Sequence, residues 1–496
     1  MRKYKIVYIG AGSFRFTIPC AMNILDFAKT FHPVELWLVD INSSALKMMD
    51  EAIRQMIYMH NMDINLHLTT DRTKALPNAD IVLISISIGM QKSEWFDIHI
   101  PLKFGIPQNT GDTVGPGGIF RGVRTIPVIV EFMKDIAKLC PHATVLNYTN
   151  PQGFLMLAAF QTAPNIQAVG LCHELFYVNT KKFGRFLNLC GVENSKKGKF
   201  TFKYGGLNHF SWVTEITYNG QDLYPKMREK ADYAYTSEKY GRPYNYYLLK
   251  KYGYFCYVED RHVAEFIPHY YNFFNYKKSP FGIVKLRNVH TIAKQRRLVY
   301  GLIKWLKHNR NRWAVKLIAR PMEGGEKALL MMKDKYNNVS KHHVCNVLNK
   351  GIIPNLPDNC AIEVPCYFEN DELKVTNIGQ LPKNIAELVM PHAKIQQLVV
   401  DAANSGEPDD LLKALLADPM CQFIEDDEKI EAMMWNMLYY EKKWFPNFSE
   451  SIPNYNEIKK LKYHIKKKEL YSYHKARMEK YCPDSHLKAK SWPQVD

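Results

Sequence analysis

Three apolar runs rich in β-branched residues open the chain: "YKIVYIGAG" (residues 4–12), "VELWLVD" (34–40) and "ADIVLISISIG" (79–89), with helical stretches between them. Strands that alternate with helices at this interval pair in parallel, and a parallel sheet needs helices on both faces. The pattern predicts an α/β fold, a Rossmann-like, doubly wound parallel sheet. "GGIFRGVRTIPVIVEFMKDIAKLCP" (117–141) reads as a helix opened by a glycine loop. "ATVLNYTNP" (143–151) reads as the next buried strand, stopped by Pro151, and "IQAVGLCHE" (166–174) as one more. Open sheets of this kind bind ligands beyond the carboxyl ends of their strands. Gly10, Asp40, Gly89, Asn150 and Cys172 are therefore expected along one edge.

Past about residue 190 the pattern changes. Strand-like runs ("FTFKYGGLNHFSWVTEITY", "AIEVPCYFENDELKV") mix with long helical ones ("AELVMPHAKIQQLVVDAA", "DDEKIEAMMWNMLYYEKKW"), which predicts an α+β second domain. The expected division is 1–190, a nucleotide-binding domain; 191–445, an α+β substrate and metal domain; and 446–496, a basic extension. No low-complexity linker separates the first two, so a large shared interface is expected.

Bulk properties exclude several classes. The apolar runs fall short of the roughly 18 residues that a membrane helix needs. At the N-terminus, glycine interrupts the apolar run too early for a secretory signal. Ten cysteines at irregular positions, without a CxxC pair, suit neither a disulfide framework nor a zinc finger, and point to the reducing cytoplasm. The net charge of +17 is concentrated in "VKLRNVHTIAKQRRLVYGLIKWLKHNRNRWAVK" and in "NEIKKLKYHIKKKELYSYHKARMEK". Both have helical spacing with apolar residues interleaved and no nucleic-acid motif beside them. They read as solvated faces of amphipathic helices rather than as a nucleic-acid surface.

In "IGAGSF", Gly10 and Gly12 give the tight turn and close backbone approach that a pyrophosphate needs, with Ala11 between them and Ser13 and later amides facing it. Arg15 replaces the third glycine of the usual pattern, and Pro19 suggests a late helix start capped by Thr17. Asp40, ending the second strand, is placed to take ribose hydroxyls and to disfavour a 2′-phosphate. The expected cofactor is NAD.

Four further segments are unusually polar for their settings. "NTGDTVGPGGIFRG" carries Asp112 and Arg121; "NYTNPQG" carries Asn147 and Asn150; "GLNHFSW" carries Asn208 and His209; "VEDRHVAEF" packs Glu259, Asp260, Arg261, His262 and Glu265 together. Taken singly, each has a structural explanation: a chain turn, a hydrogen-bonded core histidine, a surface ion network. The adjacent cysteine and histidine of "GLCHE" are equally open to packing, redox or metal roles.

Together, "IGAGS", "GDTVGPGGIFRGVRTIP", "NYTNP", "GLCHE", "GLNHFSW", "DRHVAEF" and "AIEVPC" resemble the ordered motifs of glycoside hydrolase family 4, over residues 1 to about 445. Its NAD- and divalent-metal-dependent members depart from the two-carboxylate rule of glycosidases. The resemblance implies a lactate/malate dehydrogenase-like fold and an oxidoreductive route. Hydride passes from sugar C3 to NAD, and the ketone acidifies the C2 proton, which a base removes. The C1–oxygen bond eliminates, water adds back, and the hydride returns.

By the same resemblance Cys172 and His209 are the metal ligands and the ion is Mn²⁺, although ligand softness alone ranks zinc, cobalt or iron higher. Asp260 matches the C2 base. His173 stands where the 6-phospho branch typically has an aspartate, and is expected to donate the leaving-group proton or to orient the metal. Asn150 and Asn208 are expected to hold substrate hydroxyls. "CHE" with "DRHVAEF" is most like the branch acting on unphosphorylated α-glycosides, the α-galacturonidase type. A substrate carboxylate calls for an arginine; Arg261 is the first candidate, with Arg121 and Arg124 beside it. Family resemblance also implies a homodimer or homotetramer. The competing readings are an α-glucuronidase or α-galactosidase of the same family, a 2-hydroxy-acid dehydrogenase on the same fold, and a nucleic-acid-binding protein.

Overall fold

In the computed structural model, residues 2–172, 181–192, 199–240, 243–267, 298, 301, 328–422 and 424–465 are described. The expected basic stretches lie largely outside them, as does His173.

Six parallel strands form the first half: β1 (Tyr4–Ile9), β2 (Val34–Val39), β3 (Ile64–Thr69), β4 (Ile81–Ile84), β5 (Thr144–Asn147) and β6 (Gln167–Gly170). They lie in the order β3-β2-β1-β4-β5-β6, with parallel register throughout. That order is the Rossmann arrangement, in which chain direction across the sheet reverses between β1 and β4 and opens a crevice there. Successive side chains of a strand point to opposite faces, and here both faces are buried. Ile6 and Tyr8 of β1 join one core, with Leu36, Leu38, Leu83 and Leu146; Val7 and Ile9 join the other, with Val82, Ile84 and Val145. This is why these strands read as continuous apolar runs.

The second half does not form a sheet of its own. β7 (Phe200–Leu207), β8 (Phe210–Tyr218), β9 (Gln221–Asp222), β10 (Phe255–Cys256), β11 (His343–Leu348), β12 (Ala361–Glu369) and β13 (Glu372–Val375) extend the same sheet antiparallel from β6 through β11. The joints are narrow: Asn346 pairs with Gly170, and Glu363 with Gly206. The expected interface is thus a continuous sheet, with one core running from Ile6 to Trp212.

Two local expectations are corrected. The first helix begins at Phe14, with Ser13 at its N-cap and Pro19 inside it, not at Thr17. Thr17 lies inside that helix, its amide donating to the Ser13 carbonyl at 2.8 Å and its hydroxyl to the Ala11 carbonyl at 2.9 Å, so it is not the cap. The run 79–89 gives only the short β4; Gly89, at φ 74°, instead opens the helix Met90–Lys103.

Candidate functional site

Gly10 has φ 92°, a left-handed backbone that costs glycine little, and a Cβ there would collide with the Ser85 carbonyl oxygen. A Cβ at Gly12 would lie 2.7 Å from Asp40 Oδ2. Asp40 accepts from Gly12 N at 2.8 Å and from Asn42 N at 2.8 Å. The acid therefore shapes the glycine turn, with remaining lone pairs for a ligand. Ala11 is fully buried, and the helix Phe14–Ala28 starts directly behind the turn, leaving its first backbone N–H groups for partners outside the helix. A turn that excludes side chains, ahead of a helix N-terminus, fits a dinucleotide pyrophosphate.

The second cluster forms from four distant segments. Cys172 follows the end of β6. Asn208 and His209 form the two-residue turn between β7 and β8, where Leu207 pairs with Phe210. His209 sits at φ 62°, in the left-handed region that most side chains avoid. Asp112 and Thr113 lie on the loop before the helix Gly115–Leu139, and the short helix Asp260–Val263 brings in His262.

Cys172 Sγ lies 3.1 Å from His209 Nε2. Thr113 Oγ1 lies 2.8 Å from His209 Nδ1 and donates to Asp112 Oδ1 at 2.9 Å. The His262 ring packs on that of His209, centroids 4.0 Å apart, with its Nδ1 3.8 Å from Asp112 Oδ1. Asp112, His209 and His262 each place a potential ligand atom within 4.8 Å of the others, and all three are buried. Imidazole and carboxylate donors this close could hold a divalent ion, and the Cys172–His209 pair stands beside them.

Anchors outside the cluster fix the glycine-rich loop. Glu265, fully buried, accepts from Thr110 N at 2.5 Å and Gly111 N at 3.2 Å. Burial pushes its carboxyl up to about 7, opposed by the Thr110 amide and assisted by the charge of Asp112. On the far side Asp418 accepts from Gly115 N at 3.1 Å, and burial pushes that carboxyl up to about 6.

Other expected residues fall as follows. Asp260 is buried, its two oxygens accepting from Tyr244 N at 3.0 Å and Asn245 N at 3.1 Å, at the start of the helix Pro243–Tyr252. The Asn208 amide donates to Glu363 Oε2 at 2.9 Å, tying the turn to β12. Asn150 offers its carbonyl to Arg121 Nε at 3.2 Å. The three candidate arginines all face carboxylates: Arg261 pairs with Glu259 at 2.7 Å and is half exposed, Arg121 with Glu94 at 3.0 Å, and Arg124 with Asp97 and Glu441 in the core. Arg261 and Glu259 are each about half exposed.

Asp112, Thr113 and His262 were not expected as site residues. They lie inside "GDTVGPGG" and "DRHVAEF", the quoted motifs, so the signal was present but unassigned.

Residues 5–188 match the model for family 4 glycosyl hydrolases, and residues 204–421 match the model for the family 4 C-terminal domain. An alpha-galacturonidase of Thermoanaerobacter italicus is 33% identical over 390 residues, covering 75% of this chain and 84% of that protein. An alpha-galactosidase of Bacillus subtilis is 29% identical over 452 residues, covering 90% and 99%. The structure of a 6-phospho-beta glucosidase from Thermotoga maritima with manganese, NAD+ and glucose-6-phosphate superposes with a TM-score of 0.70 at 20% identity, over 89% of this chain and 99% of that one. The fold, the ordered motifs and these matches place the chain in family 4 of the glycosyl hydrolases, and it is a glycosidase.

Proposed function

We propose that the protein hydrolyses unphosphorylated α-glycosides, α-linked galacturonides foremost, using NAD at the glycine turn and Mn²⁺ held by Cys172 and His209. The observation that carries this reading is the 3.1 Å approach of Cys172 Sγ to His209 Nε2, at the edge of the sheet where the glycine turn also lies. When bound, NAD supplies reversible oxidation at a sugar carbon, and the ion supplies Lewis-acid stabilisation of the anion formed beside the ketone.

The chain's own residues do the rest. The backbone of Gly10, Ala11, Gly12 and Ser13 receives the pyrophosphate, and Asp40 the ribose hydroxyls. Asp260 removes the C2 proton; its two amide donors orient the carboxylate, which positioned proton transfer requires. His173 donates a proton to the leaving group. Asn150 and Asn208 hold substrate hydroxyls, with Asn208 steadied by Glu363. Two relatives whose names specify α-galacturonides and α-galactosides support an unphosphorylated substrate. Nine free cysteines among the described residues support a reducing, cytoplasmic setting.

Chelated, dialysed protein should cleave an aryl α-galacturonide only when NAD and Mn²⁺ are both restored, without net accumulation of NADH. Full activity with neither, or stoichiometric NADH, would point to direct displacement or to a true dehydrogenase. An aryl α-galactoside assayed in parallel tests the substrate assignment.

A further inference from the structure

A histidine binds a metal through one ring nitrogen only if that nitrogen carries the lone pair, and the hydrogen bond made by the other nitrogen decides this. At His209, Nε2 faces Cys172 Sγ at 3.1 Å and Nδ1 faces Thr113 Oγ1 at 2.8 Å. The same hydroxyl lies 2.9 Å from Asp112 Oδ1. A threonine hydroxyl has one hydrogen to give and two lone pairs to offer. A carboxylate is a stronger acceptor than a neutral imidazole nitrogen, so the hydrogen goes to Asp112. The hydroxyl oxygen then accepts, and the only hydrogen it can take from His209 is the one on Nδ1. This leaves the lone pair on Nε2, directed at Cys172.

We propose that Thr113 is a positioning residue for the metal: the chain Asp112, Thr113, His209 fixes both the tautomer and the direction of the ligand imidazole. The proposal rests on Cys172 and His209 being the metal pair. The surroundings hold the arrangement in place. His209, Thr113 and Asp112 are all buried, and His262 packs against the His209 ring. Thr113 itself is placed from both sides of its loop, by Glu265 on the amides of Thr110 and Gly111 and by Asp418 on the amide of Gly115. Glu265 and Asp418 come from segments about 150 residues apart in sequence, so the loop is pinned between separate elements of the fold. A different arrangement uses Asp112, His209 and His262 as the ligands, with Nδ1 on the ion. In that case the threonine hydroxyl would compete with the metal, and its loss would not weaken binding.

The test titrates Mn²⁺ into the full-length protein in the presence of NAD, reading free Mn²⁺ by electron paramagnetic resonance. NAD binding by fluorescence serves as the check on folding. Thr113→Val should weaken Mn²⁺ about 10- to 100-fold, Thr113→Ser should restore it, and NAD binding should survive in both. Thr113→Ala supplies the same reading should valine not be tolerated. Unchanged or tighter Mn²⁺ binding in the valine and alanine variants, alongside loss in Cys172→Ala and His209→Ala, would overturn the positioning role and leave the metal pair standing. An equal loss in the serine variant would also overturn it, since the hydroxyl is kept there. Wild-type affinity in Cys172→Ala and His209→Ala would remove the metal pair itself, and the positioning role with it.

Discussion

Histidine tolerates a left-handed backbone better than a β-branched residue does, and position 209 exploits that tolerance: at φ 62° the hairpin turn swings the imidazole back over the sheet edge toward Cys172. The glycines at the other end of the crevice act by the absence of a side chain. Gly12→Ala would press a Cβ against the Asp40 carboxylate and the Ala45 side chain. That contact breaks the hydrogen bond by which Asp40 shapes the turn. NAD affinity should fall on the order of tenfold, about 1.4 kcal/mol, while Mn²⁺ affinity is retained. Calorimetric titration of each ligand checks this, and a variant with wild-type NAD affinity would show that the turn is not the pyrophosphate site.

Between elements, the segment Asp260 to Ile267 is held from two directions. Glu265 grips the glycine-rich loop, and the Phe266 carbonyl accepts from His392 Nε2, on the helix Lys383–Ser405, at 2.8 Å. Burial lowers the His392 pKa from 6.5 to about 4, partly opposed by the Phe266 carbonyl. A histidine depressed in the fold contributes stability above its unfolded pKa. In the unfolded chain it binds a proton between pH 6.5 and about 4 that the native state refuses. Acidification through that window therefore costs the fold at most about 3 kcal/mol through this residue, while the raised Glu265 and Asp418 carboxyls contribute with the opposite sign. Between pH 6.5 and 4.5 the urea midpoint of His392→Gln should rise relative to that of the wild type; a constant difference between the two would remove His392 as a contributor.

How far the elements were legible depended on burial. β1, β2 and the helix Gly115–Leu139 announce themselves, because residues buried on both strand faces or along one helix face give long apolar patterns. β3 ("INLHLT") is an edge strand with only Leu66 fully buried, and β11 ("HVCNVL") carries a histidine and an asparagine, so neither gives a clear run. The first helix starts earlier than its sequence suggests, because Pro19 reads as a first-turn residue yet lies inside the helix. The site was legible as a set of motifs but not as a geometry. Asp112, Thr113 and His262 meet His209 only through pairings across the fold, and nothing local in sequence marks which side chain of a polar loop points inward.

At the scale of the whole molecule, one continuous sheet sets the relation between the two ligand sites. The Rossmann half provides the glycine turn and Cys172; the antiparallel extension provides His209; the joint between them runs through Asn346 on Gly170 and Glu363 on Gly206. Glu363 also receives Asn208 and Ser211, so the same carboxylate that backs the joint steadies the turn carrying His209. Such an assembly can bring a nicotinamide and a divalent ion to one sugar ring. Under the proposed function this ring is transiently oxidised, so that its C2 proton leaves to solvent before the glycosidic bond breaks. Hydrolysis of an α-galacturonide in D₂O, with the released sugar examined by NMR, tests this directly. Deuterium at C2 of the product is expected; a product with protium fully retained at C2 would rule out oxidation of the ring before cleavage.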